Sequence, residues 1–126
     1  MEQNIKDIYM KISYYETEIL YISLYNLIEN RKQTYDFKAE ISVVLKACGY
    51  IMKGIMQILD NDRKFAFEIK KDIVLYGIDL RELVKTFKES INYNMRLVNS
   101  SVLIRMWVRR FFKVLNIYMK KNKIID

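Results

Sequence analysis

No proline interrupts this chain of 126 residues, and it holds only three glycines, Gly49, Gly54 and Gly77. Sandwiches and barrels turn back on themselves every few residues, and those turns draw on glycine and proline. The chain is therefore predicted to be all-α. Hydrophobic residues make up 52% of it and are spread along its length, enough to fill the core of a single domain over residues 1–126.

The breaks between helices are sought where a cap has a physical reason. Ser13 followed by Glu16 fits a capping box, in which serine and glutamate side chains each satisfy a free backbone N–H. Asp79 followed by Glu82 repeats the pattern, and Gly77 suits the left-handed residue that ends the preceding helix. Thr34 or Asp36 serves as a further N-cap, and Asp60, Asn61 and Asp62 form another break. About six helices follow, near 2–12, 14–30, 36–59, 62–76, 79–98 and 101–122, with Asn99, Ser100 and Ser101 as the last turn. The third carries Ile41, Val44, Leu45, Cys48, Met52, Ile55, Met56 and Leu59 at helical spacing. The fifth presents Leu80, Leu83, Val84, Phe87, Ile91 and Met95.

The charge is uneven. Residues 96–126 hold eight basic side chains against Asp126, a net +7, while the first 95 hold fourteen of each sign. On the last helix Arg105, Arg109, Lys113 and Lys120 oppose a wide apolar arc. That arc exceeds what one core needs, and the surplus suits a second subunit. The arc's aromatic rings lie across the helix from the charges, which disfavours stacking on single-stranded bases. A solvated face needs no partner at all, and an anion site at Arg105 or Arg109 is a third reading.

Catalytic equipment is sparse. There is no histidine, so Ser–His and Cys–His pairs are absent. The glycines sit too far apart for a phosphate loop. One cysteine, Cys48, permits no intramolecular disulfide and fits a reducing compartment. The start, Met1, Glu2, Gln3, Asn4, lacks the basic and apolar stretches of a signal peptide. No stretch reads as the roughly 20 apolar residues of a membrane span. A cytoplasmic, non-enzymatic protein is the expectation.

The run from Gly49 to Leu59, then Phe65 to Asp79, Leu80 to Val98 and Trp107 to Met119, with the phrase VLYGIDLRELVKTFKESINYN, resembles the non-haem globin sensor domains of bacilli. Among these it looks most like the stand-alone, plasmid-encoded proteins that inhibit sporulation. The resemblance implies a globin-like helical sandwich without haem, and the missing histidine agrees, because an ordinary globin needs one to ligate the iron. It also implies a homodimer through the last two helices, a fatty acid in the haem position and a chloride nearby. The implied action is to sequester the signal of a sporulation histidine kinase. Helical facing then nominates pocket walls at Leu45, Cys48, Met52, Ile55, Met56, Phe65, Ile69, Ile73, Phe87 and Ile91. Lys53 and Arg109 are anion candidates, and Trp107, Val108, Phe111, Phe112, Leu115 and Tyr118 are dimer-interface candidates.

Two alternatives stay open. A viral Bcl-2-like helical inhibitor would place a hydrophobic helix inside a ring of others and carry a surface groove. A basic nucleic-acid-binding accessory subunit would bind in a strongly salt-dependent way.

Overall fold

A computed structural model describes residues 2–29, 37–61, 63 and 65–126. The polar connection 30–36, with the caps expected at Thr34 and Asp36, lies outside the described residues, as does Asp62. The described residues are helical and turn segments with no strand, as the composition predicts. They form α1 (Glu2–Met10), a π-helical segment (Lys11–Glu16), α2 (Thr17–Glu29), α3 (Lys38–Asn61), α4 (Phe67–Glu89) and α5 (Asn94–Lys121). The first three run on without a break, so four rods stand where about six helices were expected.

The rods pack as a ring. α2 lies on α3, α3 on α4, α4 on α5, and α5 on α2, while α1 continues along α3. Consecutive rods pack on one another and α5 closes the ring on α2, an arrangement like that of an up-and-down four-helix bundle. Cross-contacts give the directions. Tyr9 meets Asn116 and Trp107 meets Tyr76, while Tyr118 meets Asp72 and Ser90 meets Ser100.

The absence of a break at Ser13 has a clear origin. Ile5, Tyr9 and Ile12 are buried, and so are Leu20, Leu24 and Leu27. The second triplet repeats the first fifteen residues later, whereas two helical heptads span fourteen. A π turn takes up one extra residue, so the widened segment lets both triplets face one core. The buried Thr17 hydroxyl donates to the Ile12 carbonyl at 2.7 Å and satisfies a group that the widened ladder frees. Ser13 does not cap; its Oγ is buried and makes no hydrogen bond among the described residues.

Gly77 is likewise not a terminus. It lies within α4, and no glycine of the described residues has a positive φ. The break comes instead at Ser90–Tyr93. The Ser90 hydroxyl donates to the Thr86 carbonyl at 2.6 Å and sits 3.1 Å from the Ser100 hydroxyl. Met95, expected on a core face, is consequently 73% exposed. Asn99, Ser100 and Ser101 are interior to α5, where the Ser101 hydroxyl bonds back to the Leu97 carbonyl at 2.7 Å. The Asp60–Asn61 break is present, since α3 ends at Asn61, but α4 starts only at Phe67.

α5 ends in a Schellman motif. The Ile124 N–H reaches the Met119 carbonyl and the Lys123 N–H reaches the Lys120 carbonyl. Lys123 takes the left-handed position at φ 58°.

α3 also overturns the expectation that no stretch suits a membrane, because it is long and apolar enough to cross one. Its face of Val44, Ala47, Cys48, Ile51, Ile55 and Ile58 is buried within the bundle, and a central core helix meets the same test of length and hydropathy.

Candidate functional site

The ten residues nominated as pocket walls do not line an opening described on this protein. Cys48, Ile55, Phe65, Ile73 and Phe87 are buried in the core, with Leu45, Met52 and Ile69 packed partly buried against it. Ile91 lies half-buried in the Ser90–Tyr93 turn, and Met56 is 52% exposed. Burial pushes the Cys48 thiol up to about 12, so it is a protonated core hydrophobe at neutral pH.

The two anion candidates sit on different seams of the bundle. Lys53 rims a cleft of about 110 Å³ with Lys11, Tyr50 and Gln57, over Ile8, Ile12 and Gly54. Arg109 lies on α5 near Tyr21 of α2, where burial holds the Tyr21 pKa above its ordinary value against the lowering by Arg109 and Arg105. They form no common site. Of the dimer-interface candidates, Trp107, Val108, Phe111 and Leu115 are buried in the chain's own core, and Phe112 and Tyr118 are only partly exposed. The wide arc on α5 is needed because that helix faces two neighbours, α2 and α4.

Two clefts follow the α4–α5 seam and share Tyr76, Asp79 and Arg110. One, of about 360 Å³, is lined also by Glu82, Leu83, Thr86, Leu103, Met106 and Trp107. The other, of about 420 Å³, adds Asp72, Leu75, Val114 and Tyr118. Together they make one groove. Asp72, Tyr76, Asp79, Leu83 and Thr86 recur every three or four residues, which puts them on one side of α4.

The floor is rigid. The Trp107 indole stacks on Phe111 at 4.8 Å between centroids, and Tyr76 packs on both rings. The Trp107 Nε1–H donates to the Tyr76 carbonyl at 3.0 Å. The indole polar atom is thus satisfied internally, and an apolar surface is left beneath the groove. Leu103 and Met106 stand beside it, each about half exposed at 47% and 50%. Three acids, Asp72, Asp79 and Glu82, face one base, Arg110. At one end the Tyr118 hydroxyl donates to Asp72 at 2.9 Å, and that bond, with burial and the Asp72 charge, raises the Tyr118 pKa.

This groove combines an apolar floor, flexible apolar lips and an acidic wall, which suits capture of an apolar side chain beside a cation. Sequence reasoning missed it; Leu103 and Met106, two large apolar residues left exposed on α5, were its one signal. Among the described residues no group of three or more His, Cys, Asp or Glu side chains could hold a metal ion. No family model matches the chain, and no curated protein or solved structure is similar to it.

Proposed function

We propose that this protein is a non-enzymatic interaction module that holds an amphipathic helical segment of a partner in the α4–α5 groove. The observation that carries this reading is the pairing of half-exposed Leu103 and Met106 over Trp107 with a wall of three acids. The segment it fits has a leucine-like anchor and a lysine or arginine one helical turn away. The chain as a whole is strongly basic, so a local acidic wall is a selective feature for such a cation.

A fatty acid in a globin-like interior, the expectation drawn from the resemblance, would require the core cluster around Cys48 and Phe87 to part. Antagonism of a histidine kinase sensor fits the interaction reading equally well, with a partner helix in place of a sequestered lipid.

Trp107 is the single tryptophan, so its emission reports the groove directly. Titration with a helical peptide carrying leucine anchors and a neighbouring lysine is expected to change that emission, and the matching glutamate peptide is expected not to. Asp79→Asn with Glu82→Gln should erase the difference. Equal responses to both peptides, or none to either, would refute the groove. Myristate or palmitate found in the purified protein by native mass spectrometry would return the ligand to the core.

A further inference from the structure

The rings that α5 lacks beside its charges are supplied by another helix. Arg105, Arg109, Lys113 and Lys120 form a stripe on the outward side of α5, spanning sixteen residues and so about 22 Å. α2 packs against α5, and its Tyr21 lies close enough to Arg109 and Arg105 for both charges to act on the hydroxyl. Tyr25 lies one turn further along the same side of α2 and is 60% exposed. The rods run antiparallel, with Tyr9 on Asn116 and Tyr21 on Arg109, so Tyr25 stands level with Arg105. α2 contributes two acids along this side, Glu18 a turn before Tyr21 and Glu29 a turn beyond Tyr25, against four bases of α5.

We infer that the α2–α5 face is a binding site for single-stranded nucleic acid, in which the α5 stripe tracks the phosphates and Tyr25 stacks on a base. This differs in place and partner from the α4–α5 groove. Cations spaced along a helix neutralise successive phosphates, and an exposed ring beside them adds sequence-tolerant stacking.

The test is fluorescence anisotropy of a labelled oligothymidine with the full chain. Four phosphate contacts give a logarithmic salt slope of about −2.8, a loss of about 50-fold between 50 and 200 mM salt. Arg109→Ala with Lys113→Ala halves the slope, so the loss falls to about 7-fold. Tyr25→Ala weakens binding by at least roughly 5-fold and leaves the slope unchanged. These side chains are exposed, and circular dichroism confirms that each variant is folded. No binding at 50 mM salt, a Tyr25→Ala variant of unchanged affinity, or equal affinity for a duplex would each overturn the inference. Binding to anionic phosphatidylserine vesicles but not to the oligonucleotide would overturn it in favour of a lipid surface.

Discussion

Replacing Gly54 with alanine measures how closely the first rod approaches α3. A Cβ built at Gly54 falls 2.5 Å from Ile12 Cγ2 and 3.3 Å from Cδ1. Carbon atoms in contact rest roughly 3.5–4.0 Å apart, so the overlap is at least about 1 Å. The colliding atoms belong to a β-branched side chain that is stiff at χ1, beside the π segment. Overpacking of this kind costs about 1–3 kcal/mol. Alanine also contributes about 1 kcal/mol of helix propensity, which would mask part of the effect. Gly49 is the internal control, because it lies in the same helix and a Cβ there meets nothing within 4 Å. The propensity term cancels between the two variants. Gly54→Ala is therefore expected to be about 2 kcal/mol less stable than Gly49→Ala, a Tm difference of about 8 °C for a chain of this size. Thermal and urea melts followed by circular dichroism read both. In an Ile12→Ala background the collision is removed, and Gly54→Ala should become stabilising. If Gly54→Ala matches Gly49→Ala in the native background, the close approach of the rods is wrong.

Thr17→Val removes the donor to the Ile12 carbonyl and is expected to cost about 1–2 kcal/mol in urea melts. Lys123→Gly relieves the left-handed backbone and should raise stability by about 1 kcal/mol; a lower Tm would contradict the Schellman ending. The Tyr118 pKa is raised above the ordinary tyrosine value of 10.0 by its bond to Asp72, so its contribution is complete below pH 10 and is lost as pH rises through the higher folded value. The stability of Tyr118→Phe should accordingly fall less than that of the wild type as pH rises above 10. Cys48, with its thiol pushed up to about 12 by burial, should react with a thiol reagent only at the global unfolding rate, and fast labelling of the folded protein would show an open core.

Helix content and most core positions were legible because they rest on composition and periodicity. Val44, Cys48, Ile55, Leu80, Val84 and Phe87 were all read as core-facing, and all are buried. Helix ends were less legible. The Ser13–Glu16 and Asp79–Glu82 pairs satisfy a capping pattern, yet both lie where packing continues the rod. Spacing of three residues between serine or aspartate and glutamate is also ordinary helix-surface spacing, so the pattern alone does not stop a helix. The true turn at Ser90–Tyr93 carries no glycine or proline, and its hydroxyl bond to Ser100 joins residues from two helices. The α4–α5 groove was illegible for a related reason. Each helix displays only half of it, and Asp79 and Arg110 come to line one cleft across the seam only once the rods are placed. The same holds for Tyr21 beside Arg109.

The widened segment at Lys11–Glu16 gives the N-terminal rod a built-in vernier. Removing one codon there, for instance that of exposed Tyr15, would bring the two buried triplets into ordinary helical phase. The shortened protein should fold with α-helix throughout and a melting point close to that of the parent. Length changes of a single residue, which usually scramble a helical interface, are absorbed at this point, so the rod's two halves are free to diverge in sequence without losing their shared inner face.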